Sequence, residues 1–528
     1  MPYVVTQSCC SDASCVYACP VNCIHPTPDE PDFRTAEMLY VDPKACVDCG
    51  ACATACPVDA IVSAKKLTAE QKPFIEINAD FYRQSRPRPL LARPVPAARI
   101  HTERTPLRVA IVGSGPSAMY AADELLTQPD VSVTVFDRLP VPYGLARHGV
   151  APDHDKTRKV GELFDVISAQ PGFGSYLNVE VGAHISHAEL LDHFHAVIYA
   201  VGASSDRKLG IPGEGLAGTV SATDFVAWYN GHPDYADHVF DLTARRAVIV
   251  GNGNVALDVA RVLTSDPATL ADTDIAPYAL RALRESKIEE VVVLGRRGPL
   301  ESAFTVPEFV GLLGSDVNIV VEGELPELGA ELPFHVEQKL RLLHSVRTRP
   351  VGERKRIVFR YLAAPTEIHG TDRVTGLEVG RTELVTDPEG RVRAVATGQT
   401  DRLDAGLVLT SVGYRGVALP GLPFDEQAAV IPNQEGRVLE RPDGAVVTGT
   451  YVTGWIKRGP TGFIGTNKSC AQETVRQLAT DFNAGRLPDP AGTAVEFDRL
   501  VRLRQPAVRA AGAVEARPGR VRRLLARA

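Results

Sequence analysis

The sequence predicts an α/β chain with two Rossmann-like dinucleotide-binding domains, preceded by a small α+β domain built around metal-ligating cysteines. Three observations carry this. The stretch Val109–Asp137 reads as an apolar strand, a Gly113-Ser-Gly115-Pro-Ser-Ala118 turn, a helix, and a second strand closing on an acid. The same grammar returns at Ala247–Ala256, around Gly251-Asn252-Gly253-Asn254-Val255-Ala256. Nine of the ten cysteines lie before residue 57, seven of them in two copies of one spacing pattern.

Composition sets the bounds. A chain of 528 residues, 44% of them hydrophobic, has material for about three or four domains and their cores. The net charge of −7 argues against a nucleic-acid partner, whose footprint would be basic. The sequence has neither a long apolar run nor a secretory N-terminus, so a cytoplasmic protein with no membrane span is expected. The same missing export signal disfavours a disulfide framework for the clustered cysteines.

Residues 1–66 form the small domain. Cys46-x2-Cys49-x2-Cys52-x3-Cys56-Pro57 is a full iron-sulfur run, and Cys9-x2-Asp12-x2-Cys15-x3-Cys19-Pro20 repeats it with Asp12 in the second place. In this grammar the fourth cysteine of each run ligates the other cluster. One cluster therefore takes Cys9, Cys15 and Cys56, with Asp12 at its remaining corner, and the other takes Cys46, Cys49, Cys52 and Cys19. Paired zinc sites would not need the x3-Cys-Pro endings. Carboxylate is a harder ligand than thiolate and holds its iron more weakly. The first cluster is thus either four-iron with Asp12 as ligand or three-iron with that corner empty. Cys10 and Cys23 lie outside both patterns and read as packing or near-cluster residues. The segment resembles the bacterial two-cluster ferredoxins over its whole length.

Residues 67–106 carry Arg86-Pro-Arg-Pro89, Arg93-Pro-Val-Pro96 and Thr105-Pro106. Repeated prolines favour an extended, semi-rigid spacer. The expectation is a small domain tethered to the rest and not buried in it.

The first nucleotide domain is expected at 107–205 and 405–528. Gly113 permits the tight turn, Gly115 lets the backbone approach a pyrophosphate at the helix N-terminus, and Asp137 offers an acceptor for a ribose hydroxyl. After Asp137 comes Leu139-Pro-Val-Pro-Tyr-Gly-Leu-Ala-Arg-His-Gly-Val-Ala-Pro-Asp-His154, and further on Gly454-Trp455-Ile-Lys-Arg-Gly-Pro-Thr-Gly462-Phe463-Ile464-Gly465. Here the chain resembles adrenodoxin reductase and its bacterial relatives, flavoprotein ferredoxin-NADP reductases of the glutathione-reductase type. That resemblance implies FAD in the first site, with Ser117, Asp137, Leu145 and Val181 against it. It also implies that Trp455 and the Gly462–Ile464 backbone face the flavin ring. His154 matches the family histidine that lies near the flavin and is proposed to assist proton movement.

The second nucleotide domain is expected at 206–404, with Gly251, Asn252, Gly253, Asn254 and Val255 in its phosphate turn. The later strand Val291–Leu294 ends in Gly295-Arg296-Arg297 with no acid. Two guanidiniums grip a 2′-phosphate that a carboxylate would repel, so the nucleotide is NADP(H). Residues 264–287 look like an insertion with a helix. By family match Glu308 lies near the nicotinamide, where it orients the carboxamide and pairs with His154. Arg207 is a weaker candidate for a phosphate contact. Residues 499–528 hold nine arginines against Glu515, a solvated terminal helix or a strip for an acidic partner.

The expected activity is FAD-mediated electron transfer between NADPH and iron-sulfur clusters, its own or those of an external ferredoxin or another one-electron acceptor. No Cys-x-x-Cys follows residue 107, which disfavours a disulfide reductase of this fold. Two other readings are an electron-input subunit of a larger oxidoreductase, such as the small subunit of glutamate synthase, and a non-catalytic electron carrier.

Overall fold

Two parallel sheets dominate the molecule. A computed structural model describes residues 2–83, 89, 91–93, 95, 98–101, 106–329, 332–347 and 355–505. The first sheet has seven strands, in the order 433–434, 437–439, 446–452, 196–199, 107–112, 131–137 and 173–177. Its five nucleotide-fold strands run parallel, with Val109 opposite Val133 on one side and Ala196 on the other. Leu107, Val109, Ala110 and Ile111 are fully buried, as expected of a strand covered on both faces. Pro116 opens the helix Pro116–Leu126, where its missing N–H costs nothing, and Ala118, Ala121 and Ala122 bring that helix close to the sheet. The long helix Thr466–Asn483 packs on the same core through Ala471, Val475, Leu478 and Phe482.

The second sheet has six strands, ordered 219–221, 407–410, 246–250, 290–295, 356–361 and 318–321, all parallel. Leu407–Thr410 therefore belongs here, between Thr219–Ser221 and Arg246–Val250. This corrects the boundary at 405, because the chain returns to the first half only after Thr410. The reason lies in the repeat. In the first half Gly113 abuts the Ala200 carbonyl, and in the second Gly251 abuts the Ser411 carbonyl, with φ of +99° and +115° respectively. Each nucleotide turn needs a neighbouring strand end to lean on. Val408-Leu-Thr-Ser-Val-Gly413 is the counterpart of Val197-Ile-Tyr-Ala-Val-Gly202. A three-stranded antiparallel sheet, 363–370, 374–386 and 392–404, is attached to this half. The insertion after 264 folds as two short helices, Pro267–Leu270 and Pro277–Glu285.

The small domain has two two-stranded ladders, Tyr3–Val5 with Ile61–Ser63 and Ile24–His25 with Tyr40–Val41. Two parts of the spacer reading are corrected here. Residues 73–80 form a helix, Pro73–Asp80, that belongs to the small domain. Phe74, Ile77 and Phe81 enter its core, and Asn78 accepts from the Val5 and Val41 amides at 3.2 and 2.9 Å. An apolar face recurring at Phe74, Ile77 and Phe81 outweighs the prolines that follow it. The domain is also packed against the rest of the chain. Cys10, Val58 and Ala60 share a core with Leu107, Met119 and Tyr120, while Val306 and Val310 of the second half join the core of the small domain. Most of the proline-arginine segment, including Arg86–Arg88, lies outside the described residues, as do residues 506–528 of the C-terminal tail. The helix Ala494–Arg504 precedes that tail and buries Phe497 and Val501 against the first half.

Candidate active site

Both glycine turns have room for a phosphate. At Gly115 and Gly253 nothing lies within 4 Å of where a Cβ would sit, and both have ordinary extended backbone at the head of a helix. That is the cradle a pyrophosphate fills. Asp137 is turned onto its own turn: it accepts from the Ser114 amide at 2.9 Å, from the Ser114 hydroxyl, and from the Leu139 amide at 2.8 Å. Burial pushes its carboxyl up, and the Ser114 bonds oppose that. A carboxylate accepts about four hydrogen bonds, so one place remains for a ribose hydroxyl. Ser117 donates to Asn467 Oδ1 at 2.8 Å and lies against Gly454, so it joins the first turn to the Trp455 loop. Leu145 opens the short helix Leu145–His148, and Val181 packs at the edge of the first sheet's outer core.

In the second turn Asn252 accepts from the Ala303 amide at 3.3 Å. Asn254 accepts from the Thr305 amide at 2.8 Å and donates to its hydroxyl at 3.2 Å. Thr305 caps the helix Val306–Leu313, which carries Glu308 in its first turn. The phosphate turn and Glu308 are thereby held as one unit. Val255 sits partly buried against the core. Arg296 and Arg297 follow the strand Glu290–Gly295 and are both exposed, their carbonyls fixed by Thr382 and Leu362. Arg207 is exposed too, and its amide donates to the Gly413 carbonyl at 3.0 Å, at the crossover between the halves.

His154 and Glu308 come from opposite halves and meet. His154 Nε2 lies 3.7 Å from Glu308 Oε2 and 3.7 Å from Asp258 Oδ1, and Arg261 donates to the same nitrogen at 2.9 Å. Asp153 holds Arg261 with two bonds, at 2.7 and 2.8 Å, and Asp258 adds a third at 2.8 Å. Burial pushes the Glu308 carboxyl up, while charge on His154 opposes the rise. Gln7 of the small domain donates to Glu308 Oε2 at 3.3 Å. Sequence reasoning did not assign Asp153, Asp258, Arg261 or Gln7 to the site. Asn254, Asp258 and Arg261 recur at i, i+4 and i+7 on one helix face leading from the phosphate turn, and that was the available signal.

Trp455 opens the short helix Trp455–Arg458, half-buried, with its Nε1 donating to the Thr461 carbonyl at 3.1 Å and its ring 5.2 Å from Tyr414. Gly462 has φ +85°, and Phe463 is joined to the head of the last long helix through Thr466.

The cysteines fall into two neighbouring groups, with Cys52 of one acting on Cys15 of the other. Cys9, Asp12, Cys15 and Cys56 act electrostatically on one another; burial pushes the Cys9 thiol up to about 11 and raises Cys15 and Cys56 as well. Cys46, Cys49 and Cys19 act in the same way on Cys52, which burial raises to about 12. Cys23 lies with its sulfur 3.4 Å from that of Cys19; their hydrogen bond lowers Cys19 and raises Cys23. Cys10 is buried against the flavoprotein core. Buried thiols whose pKa is raised suit a metal that holds them deprotonated. The Ser11 hydroxyl, buried beside the first group, has no protein partner and suits a cluster sulfide. Asp12 accepts from Ser14, whose hydroxyl is reached by Lys468 at 3.5 Å.

Among the described residues, no helix is long and apolar enough to cross a membrane. The pattern of the pyridine nucleotide-disulphide oxidoreductase family matches residues 107–272, and that of the 4Fe-4S binding domain matches 39–62. A probable ferredoxin/ferredoxin–NADP reductase of Mycobacterium leprae is 54% identical over 522 residues, covering 96% of this chain and 91% of the relative. The mitochondrial NADPH:adrenodoxin oxidoreductase of Arabidopsis thaliana is 40% identical, over 72% of this chain and 83% of its own length. The structure of Mycobacterium tuberculosis FprA in complex with NADPH superposes with a TM-score of 0.71 at 45% identity, covering 76% of this chain and 91% of that one. With a relative 54% identical over 96% of it, and a flavoprotein half that superposes on FprA, the chain belongs to the ferredoxin/ferredoxin–NADP reductase family.

Proposed function

We propose that this chain transfers electrons from NADPH through FAD to two iron-sulfur clusters of its own small domain, and from there to a one-electron acceptor protein such as an external ferredoxin. The observation that carries the reading is the 3.7 Å approach of His154 to Glu308 across the boundary between two phosphate-cradling halves. Dinucleotides laid on the two turns bring their reactive rings towards this junction. The bound flavin accepts a hydride and gives electrons singly, chemistry that no side chain here supplies. The first turn holds its pyrophosphate and Asp137 its ribose, with Ser117, Leu145 and Val181 against it. The Gly462–Ile464 backbone faces the ring edge where negative charge gathers, with the Phe463 amide held by Thr466. Arg296 and Arg297 grip the 2′-phosphate of NADPH, and Arg207 contributes at the crossover. Glu308 orients the carboxamide and exchanges a proton with His154, whose position Arg261 fixes. Everything in this scheme operates in the cytoplasm.

Removing the Gln7 bond tests the proton pair. A donor to the charged carboxylate lowers its pKa, so Gln7→Leu raises that of Glu308. The acid limb of the pH profile for flavin reduction by NADPH is expected to move to higher pH. Stopped-flow traces across the pH range check this, and an unmoved limb contradicts the role given to Glu308.

The first cluster takes Cys9, Cys15 and Cys56, with Asp12 at the fourth corner. Asp12→Cys is expected to give a complete four-iron cluster, with iron per flavin at or above the parent value and a changed electron paramagnetic resonance spectrum. An unchanged spectrum and iron content would remove Asp12 from that corner.

A further inference from the structure

We infer that electrons enter the small domain through the Cys9, Asp12, Cys15 and Cys56 group, docked on the Gly462–Gly465 loop, and leave it through the Cys46, Cys49, Cys52 and Cys19 group. The inference rests on the function proposed above and adds a fixed order to it.

The first group lies against the flavoprotein. The Gly465 amide donates to the Cys10 carbonyl at 2.7 Å. A Cβ at Gly465 would sit 2.2 Å from the Asp12 nitrogen and 2.4 Å from its Cα, so the two backbones touch with no side chain between them. Ile464 packs in the same core as Cys9, Cys10 and Cys56, and the buried Tyr120 of the first nucleotide helix feels the charge of Asp12. The loop that offers its amides to the flavin on one side thus carries the first cluster's ligand segment on the other. Polar contacts fix the pose from both halves. On the flavin side Lys159 pairs with Asp59 at 2.5 Å. On the nicotinamide side Glu37 pairs with Lys339 at 2.7 Å and accepts from the Val306 amide at 2.7 Å. Gln338 donates to Asp80 at 3.1 Å.

The second group reaches the surface at Cys49. Cys49 is exposed, and its neighbour Val47 is 59% exposed. An exposed cluster ligand beside an apolar side chain fits a protein acceptor that must bring its own redox centre close. NADPH and one proton deliver two electrons and two protons to the flavin, leaving NADP+. The flavin returns to its oxidised state by losing two electrons, one after the other, to the first group, and it releases two protons. Each electron passes to the second group and reduces one acceptor molecule, so one NADPH reduces two acceptors with net release of one proton.

Two cluster knockouts and one contact variant test the order. In Cys9→Ser/Cys15→Ser holoenzyme, the second cluster is expected to give its resonance signal with dithionite but to be reduced by NADPH roughly a hundredfold more slowly than in the parent. In Cys46→Ser/Cys49→Ser, NADPH should reduce the first cluster at the parent rate while reduction of an added ferredoxin is lost. Gly465→Ala keeps all ligands; it should speed hydrogen exchange at the Ser11 and Asp12 amides and slow reduction of both clusters together. NADPH reduction of the second cluster at the parent rate, in either the first knockout or an exchange-loosened Gly465→Ala protein, overturns the order. A parent protein with flavin but fewer than two clusters by iron count overturns the underlying function instead.

Discussion

Arg296→Ala/Arg297→Ala is expected to weaken NADPH by about 3 kcal/mol or more, roughly a hundredfold or greater in Kd, while NADH changes little. Both guanidiniums stand exposed at the end of the strand Glu290–Gly295, where a conventional NAD-binding fold carries an acid. Their carbonyls are held by Thr382 and Leu362, so the side chains leave the chain at defined points. Charge-assisted bidentate contacts to a phosphate are among the strongest that a surface makes. NADH lacks the phosphate and has nothing to lose there. Flavin-bleaching titrations with each nucleotide check the split, and equal losses for the two would refute phosphate recognition by this pair.

Gly115→Val is expected to yield folded protein without flavin. The residue has φ −72° and ψ −177°, which valine adopts readily, and no heavy atom lies within 4 Å of its would-be Cβ. The new Cβ therefore meets nothing in the described protein, and the side chain occupies the space the pyrophosphate needs. Gly113 behaves in the opposite way. Its φ of +99° and the Ala200 carbonyl 2.5 Å from a Cβ make any side chain there a folding defect. Far-ultraviolet circular dichroism with the visible flavin spectrum separates the cases. Gly115→Val protein with parental circular dichroism and full flavin content would contradict the assignment of this turn.

The parts of the fold legible in the sequence were those with local grammar. The strand-turn-helix units at Gly113 and Gly251 were readable because backbone approach leaves glycine at fixed offsets, and the two cysteine runs because ligand geometry fixes spacing. The return of the chain was misread at Leu407–Thr410 because a short buried apolar run does not say which sheet it joins. The repeat of Val197–Gly202 in Val408–Gly413 held the answer. The docking of the small domain was not legible at all. It depends on backbone contact between Gly465 and Asp12 and on single pairs such as Gln7 with Glu308, formed between residues more than 300 positions apart, and no periodicity announces them. Proline-rich composition near residue 90 suggested an extended, semi-rigid spacer and left docking open, and Ala98 and Ile100 are buried in the flavoprotein core. At the candidate site, His154 and Glu308 were named from family motifs. Of the residues that hold them, Asp153 was missed because an ion pair across two halves leaves no local trace, while Asp258 and Arg261 had only their shared helix face with Asn254 to announce them.

The most direct test of the whole account is anaerobic titration of the purified protein with NADPH, followed by optical and electron paramagnetic resonance spectra, with iron and acid-labile sulfide counted per flavin. The account predicts about seven or eight iron atoms per flavin, bleaching of the flavin by NADPH, and cluster signals that appear with no added partner. Protein that binds flavin but holds no iron and sulfide, or whose clusters stay oxidised after the flavin has bleached, would contradict it.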